Sequence, residues 1–208
     1  MNERVDRYLG EPKPALVKSP RRTLKFLKGA YAAGVPGMMS KPSTDLLVNS
    51  GGYAFHYGCP NPEMRTIASW LMTSGEAKPR RIAKLVPALW KRHGQEDLVL
   101  VGLILANMSE EDLGESPWMA LIHLLGEREP LGALLEIGEE IVRGGHETPD
   151  DQWLVAMAEQ SALWHQVAVL FLSLRKGSTG NLRGMVTTAP GGGELFERIR
   201  NRLLSHED

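Results

Sequence analysis

The chain has 208 residues, 42% hydrophobic and 24% charged, a length and balance that suit one soluble globular domain with a substantial core. Its longest apolar runs, Leu98–Ala106 and Val167–Leu172, are far too short to cross a membrane, and its start, MNERVDRYLGEPKP, lacks the apolar core of a signal peptide. A single cysteine, Cys59, excludes an internal disulfide and sets the expectation of a reducing, cytoplasmic location. The net charge of −1 conceals an asymmetry: residues 1–94 hold 16 Lys/Arg against 6 Asp/Glu, or +10, and residues 95–208 hold 8 against 19, or −11. Such a split points to a polyanion partner for the basic half. The competing explanation is attraction between the two halves or to a second subunit.

Residues 1–20 read as an N-terminal arm with one short helix, Glu3 to Leu9, followed by an extended stretch rich in proline. Arg21 to Ala33 reads as a basic helix ended by Gly34-Val35-Pro36-Gly37, and Pro42 to Asn49 as a further short helix. Tyr53-Ala54-Phe55-His56-Tyr57 has strand propensity but reads better as an aromatic connector into the next helix. That helix opens at Asn61-Pro62-Glu63, with a cap, a proline at the first helical position and an acid in the first turn. A second starts near Pro79 and a third near Glu96, with Gly94 between them. In the second, Ile82, Leu85, Val86, Leu89 and Trp90 share one face, while Arg81, Lys84, Ala88, Lys91 and Arg92 share the other. Pro87 lies mid-helix and is expected to kink it. The third helix is apolar nearly all round, from Leu98 to Leu105, so it must be covered on several sides.

The helical pattern recurs at Pro117–Leu125, Leu131–Arg143, Pro149–Glu159, Leu163–Arg175 and Glu194–Leu204. Thr148-Pro149-Asp150-Asp151 repeats the cap, proline and acid signal, and residues 178–193 form a glycine-rich connector with a short turn of helix around Asn181–Val186. Helices of this length with short joints predict at least eight helices packed as antiparallel pairs. The fold class is therefore all-α, a HEAT-like helical-repeat solenoid, although no strict repeat period is present. A rival reading makes Leu98–Leu105 and Val167–Leu174 buried parallel strands, but few other strand candidates exist to complete a sheet.

The usual catalytic motifs are missing. There is no phosphate-binding Gly-x-x-x-x-Gly-Lys-Ser/Thr loop, no Gly-x-Gly-x-x-Gly after a strand and no Gly-x-Ser-x-Gly. The six histidines are scattered without metal-ligand spacing, so neither a metal nor a cofactor is expected. Cys59 has only His56 near it in sequence and reads as a small buried residue. Of the tryptophans, Trp70 and Trp90 continue apolar faces, and Trp118 is the best placed to face a groove, with core packing still the favoured role.

Some of the words resemble a known family. Tyr57-Gly58-Cys59-Pro60-Asn61-Pro62-Glu63-Met64-Arg65-Thr66-Ile67-Ala68 gives aromatic-Gly-x-x-x-Pro-Glu-hydrophobic-Arg-x-Ile-Ala, followed by a Leu-Trp helix and an apolar helix over Ala88–Leu105. With Leu163-Trp164-His165-Gln166-Val167-Ala168-Val169-Leu170, these stretches resemble the HEAT-like DNA alkylation repair (alkylpurine DNA glycosylase) proteins, at the level of helix pattern over roughly Leu47 to Lys176. The resemblance implies a curved solenoid holding duplex DNA in a basic concave cleft, where a carboxylate and tryptophans excise cationic alkylpurines. A carboxylate stabilises a developing sugar cation, and aromatic faces attract a cationic base. This sequence departs from the pattern. The stretch that should carry the catalytic Trp-x-x-x-Asp word reads Gly126-Glu127-Arg128-Glu129-Pro130, and Glu129 is the one plausible substitute carboxylate. In the Trp164 helix, His165 or Gln166 stands where the family has a backbone-gripping arginine, and the family's last helix pairs have no match after Lys176.

The expected function is thus a nucleic-acid-associated, alkylation repair-like protein whose residues do not by themselves imply glycosylase activity. The alternative is a non-enzymatic HEAT-like scaffold for protein partners. Duplex DNA is the expected partner, with Lys78, Arg80, Arg81, Lys84, Lys91 and Arg92 as phosphate contacts and Glu129 as the carboxylate of any excision chemistry. Glu129 also reads as an ordinary solvated acid at a helix start.

Overall fold

Helical periodicity governs the whole described chain. In the computed structural model, described over residues 3–36, 52–126, 130–175 and 179–205, every regular element is a helix and the only β-pairing is an isolated bridge between Phe55 and Gly94. The rival strand reading of Leu98–Leu105 and Val167–Leu174 is therefore overturned: Leu98–Leu105 is helix, and Val167–Leu172 is helix followed by a turn. The short helix expected at Pro42–Asn49 lies outside the described residues. The chain divides into two compact units, Met1–Leu125 and Gly126–Asp208.

The first unit begins with α1 (Glu3–Leu9) and α2 (Pro20–Gly34), which pack on each other and on α3 (Asn61–Gly75). The stretch between α1 and α2 is docked rather than free. The Trp70 indole donates to the carbonyls of Gly10 at 3.0 Å and Glu11 at 3.3 Å, the Lys13 N–H donates to Ser74 Oγ at 2.9 Å, and Val17 is buried. α3 begins at Asn61, the expected cap and one residue before the expected helix start at Pro62, with Pro60 in the cap position, extended and without a side-chain cap bond.

The helix expected to run through Pro87 is two helices, α4 (Arg80–Ala83) and α5 (Val86–Arg92). Pro87 cannot donate a backbone bond, and its ring would clash with the carbonyl four residues earlier, which belongs to Ala83. The break falls there, so the proline sets a new helix start instead of a kink. The apolar face survives the break, with Ile82, Leu85, Val86, Leu89 and Trp90 all buried.

α6 (Gln95–Asn107) is buried along nearly its full circumference and packs against α3, α5 and, toward its far end, α8 (Pro117–Ile122). Between them lies a one-turn helix that the apolar pattern does not reveal, α7 (Glu110–Leu113). Its signal is a cap: the Asp112 N–H donates to Ser109 Oγ at 3.2 Å while the Ser109 hydroxyl donates to the Asp112 carboxylate at 3.0 Å.

The second unit contains α9 (Leu131–Arg143), α10 (Asp151–Ala158), α11 (Ala162–Leu172), a 3-10 turn at Gly180–Leu182, α12 (Arg183–Thr188) and α13 (Glu194–Ser205). α11 is its centre, packing against α9, α10, α12 and α13 and burying Val167 to Leu172 without interruption. The cap of α10 is Asp150, whose carboxylate accepts from the Trp153 N–H at 2.8 Å, rather than Thr148. The glycine-rich connector holds more helix than its composition suggests, because Val186 and Leu182 are buried.

The corner from α5 into α6 is tight. His93 adopts a left-handed conformation at φ 55, and a Cβ at Gly94 would lie 2.0 Å from the Phe55 ring. Gly94→Ala should therefore lower stability by about 1–3 kcal/mol through overpacking. Gly184→Ala, where a Cβ meets nothing within 4 Å, should leave it unchanged or raise it. Urea unfolding of the two variants checks this, and equal effects would contradict the close packing at the corner.

Candidate functional site

Two acids at the start of α6, Glu96 and Asp97, are completely buried. Their first-turn position places both carboxylates near the positive end of a helix, which favours the charged form, but burial of a carboxylate is tolerated only with hydrogen-bonded partners. Glu96 Oε1 accepts three successive backbone N–H groups, from Tyr57 at 2.8 Å, Gly58 at 2.9 Å and Cys59 at 3.2 Å. The aromatic connector before α3 is thus wrapped around one carboxylate oxygen, aided by the positive φ of Gly58. The connector is fixed at its other end by the Ala54 N–H donating to the His93 carbonyl at 2.8 Å and the Gln95 N–H to the Phe55 carbonyl at 3.0 Å.

Asp97 organises a second set. It accepts from the Tyr31 hydroxyl at 2.9 Å and from Arg92 Nε at 2.6 Å and Nη2. The remaining Arg92 nitrogen, Nη1, donates to the Leu24 carbonyl in α2. The network therefore ties α2, α5 and α6 together through one guanidinium. Burial, then the Asp97 charge, pushes the Tyr31 hydroxyl well above its ordinary pKa. For Arg92 burial opposes the charge, but the Asp97 hydrogen bonds and charge outweigh it and hold the guanidinium more firmly protonated than usual. Burial, followed by Glu96 and Glu63, raises the Cys59 thiol to about 12. Such a thiol is protonated at neutral pH and is a poor nucleophile.

His56 stands beside this network, with Nε2 3.9 Å from Glu96 Oε1. Its Nδ1 and Glu96 Oε2 are buried without a hydrogen-bond partner among the described residues. Among those residues no group of three His, Cys, Asp or Glu side chains could hold a metal ion.

The six cations selected from the sequence do not form one face. Lys78, Arg80, Lys84 and Lys91 are exposed, Arg81 is half-buried, and Arg92 is turned inward with its side chain only 17% exposed. Arg92 is thus a structural ion-pair partner and not a surface cation. The sequence grouped it with Lys84 and Lys91, but it stands three residues after the buried Leu89, at the edge of the apolar face, and Asp97, just beyond the α5–α6 corner, draws it in. The Arg80 guanidinium donates to the Glu111 carbonyl at 3.4 Å, and no carboxylate pairs with Lys78, Arg81, Lys84 or Lys91 among the described residues.

Arg80 and Lys84 border a groove of about 600 Å³ in the first unit. Pro87, Leu105, Leu113 and Leu124 contribute apolar wall, and Asp112 and Glu115 line it as well. His123 Nδ1 lies 2.9 Å from Glu115 Oε2 at the same groove.

Glu129 lies outside the described residues. Trp70, Trp90 and Trp118 are all buried, so none of the three presents a ring to solvent. In the second unit, His165 Nε2 is 2.7 Å from the Met185 carbonyl and the Gln166 amide donates to the Gly191 carbonyl at 2.8 Å. Both side chains at the position expected to grip a DNA backbone are engaged with the segment around α12. On α9, burial and then the neighbouring Glu139 and Glu140 raise the Glu136 carboxyl, a sign of crowded negative charge.

No family model, no curated protein and no solved structure matches this chain.

Sequence reasoning missed Glu96 and Asp97 as buried groups. The signal was present: acids in the first turn of a helix that is apolar on every side have no solvent face to turn toward.

Two measurements test this interior. Asp97→Ala leaves Arg92 and the Tyr31 hydroxyl without their acceptor and should cost about 3 kcal/mol or more in urea unfolding; a loss under about 1 kcal/mol, the range of an exposed pair, would contradict it. Cys59 should resist a disulfide-forming thiol reagent at about pH 8 in the folded protein and react readily once unfolded, where its pKa returns to the usual range. Rapid labelling of the folded chain would contradict the burial of the thiol.

Proposed function

We propose that this chain is a nucleic-acid-associated protein of the HEAT-like DNA alkylation repair type, its helices arranged as a curved array of antiparallel pairs, acting in the cytoplasm on duplex DNA. The observation that carries the reading is the set of cations on α4 and α5 and the turn before them: Lys78, Arg80, Lys84 and Lys91 are exposed, and no Asp or Glu lies between Glu76 and Glu96. Cations with no acid among them along the sequence suit a partner whose own charge is dense and repeated, as phosphates are, with Asp112 and Glu115 confined to the groove beside Arg80 and Lys84. The resemblance of Tyr57–Ala68 and Ala88–Leu105 to that family supplies the choice of DNA.

Excision chemistry is the weaker half of the reading. Trp70, Trp90 and Trp118 are buried and offer no stacking face for an alkylated base, which leaves only the half-buried Trp153 and Trp164, and Cys59 is held as a thiol. Glu129 remains the proposed carboxylate for any such activity. It precedes Pro130, the cap of α9, where a helix start would favour its charged form.

A scaffold for protein partners is the second reading, favoured by the mixed lining of the groove beside Arg80 and Lys84. Apolar walls with Asp112 and Glu115 opposing two cations suit a peptide better than a phosphate chain.

Replacing Arg81 and Lys84 together by Ala should weaken duplex DNA binding by a similar factor for unrelated sequences, since phosphate contacts carry no base information. Unchanged affinity would remove this surface from the account. Release of methylated purines from treated DNA by the wild type, abolished in Glu129→Gln, would establish glycosylase activity. Release that survives Glu129→Gln would assign the chemistry to another residue, and no release by the wild type would leave binding alone.

A further inference from the structure

A second acid-free stretch, longer than the one that carries Lys78 to Arg92, lies nearer the N-terminus. Between Glu11 and Asp45 the sequence has seven Lys/Arg and no Asp or Glu. Most of these cations fall on α2 or just before it, and the helix sorts them. Thr23, Leu27, Ala30, Tyr31 and Gly34 are buried on one side, and Arg21, Arg22, Lys25 and Lys28 are exposed on the opposite side, with Lys18 exposed ahead of them. At 1.5 Å per residue, Arg21 to Lys28 covers about 10 Å of helix axis. Phosphates of one DNA strand advance about 3.4 Å each, so this row spans about three of them.

The C-terminal end of the row lies close to the end of α5. Lys28 Nζ lies 4.5 Å from the centre of the Phe55 ring, Arg92 Cζ lies 5.6 Å from the same centre, and Arg92 also reaches the Leu24 carbonyl. The C-terminal end of α5, which carries exposed Lys91, is therefore fastened against α2. The inward Arg92 serves as the clamp between two cationic rows instead of a member of either.

We propose that the outer face of α2, through Lys18, Arg21, Arg22 and Lys25, is a second phosphate-contacting row that holds the backbone of duplex DNA alongside the α4–α5 cations. No ion pair engages these four side chains among the described residues. The apolar face of α2 is spent on the core, which removes what an amphipathic helix needs to insert into a lipid surface. A long polyanion that needs only charge and hydrogen bonds remains the fitting partner. The proposal rests on the nucleic-acid reading and adds to it a surface that the family resemblance, which begins near Leu47, does not cover.

The test is the salt dependence of affinity for a short fluorescent DNA duplex, using the full chain. Each phosphate contact contributes about 0.9 to the slope of log affinity against log salt, so changing Lys18, Arg21, Arg22 and Lys25 together to Gln should lower its magnitude by about 3.6. Affinity at low salt should fall by about tenfold or more. Arg198→Gln with Arg202→Gln, two exposed cations of α13, controls for net charge and should leave the slope unchanged. Arg21→Lys with Arg22→Lys keeps the charge and should retain binding, with the thermal melt of each variant confirming the fold. If the wild type binds and the four-fold α2 variant keeps its slope, or loses no more per charge than the α13 control, the α2 row is overturned while the α4–α5 reading stands. If the wild type shows no salt-dependent binding, both are overturned.

Discussion

A carboxylate buried in a helical core must find donors, and in this chain two adjacent ones set the layout of the first unit. Glu96 and Asp97 open α6, the most deeply buried helix, and neither can reach water. Their desolvation is offset by the helix end and by donors drawn from elsewhere in the sequence: three backbone amides of the 57–59 connector, the Tyr31 hydroxyl of α2 and the Arg92 guanidinium of α5. Segments separated by as many as 66 positions in sequence are thereby held at one point. The α5–α6 corner, with its left-handed His93 and the Phe55 ring over Gly94, is the backbone counterpart of the same convergence.

The interior accounts for the surface. Arg92 is withdrawn to neutralise Asp97, which leaves Lys91 as the outward cation at the end of α5 and fastens that end to α2. Because α2 spends its apolar side on the core and carries no acid, its outer side is cationic by default. The second unit follows a different logic. Its central helix, α11, is apolar along its length, and its polar residues His165 and Gln166 serve local contacts with the α12 segment. The crowded acids of α9 make that unit unsuited to phosphate on that side.

Much of the helical content could be read from the sequence because its causes are local. The 3.6-residue spacing of Ile82, Leu85, Val86, Leu89 and Trp90 fixes a buried face whatever surrounds it, and the proline-and-acid start at Asn61-Pro62-Glu63 marks a helix within one residue. Pro87 was legible as a disturbance, but whether it kinks or breaks depends on what packs on either side. α7 was missed because a single turn has no period, only its Ser109 cap. The site residues were less legible for a physical reason: exposure and pairing are tertiary. Nothing near Arg92 in sequence separates it from Lys91 except Asp97, five residues on and around a corner. Glu96 looks like an ordinary first-turn acid until the connector from Tyr57 closes over it.

The most direct test of this account is native-state hydrogen exchange at the backbone amides of Tyr57, Gly58 and Cys59. They belong to no helix or strand, so ordinary loop amides at these positions would exchange quickly. Held by the buried Glu96 carboxylate, all three should exchange slowly, on the scale of global unfolding, alongside the α6 core amides. Fast exchange at these positions while α6 stays protected would contradict the central role of the carboxylate.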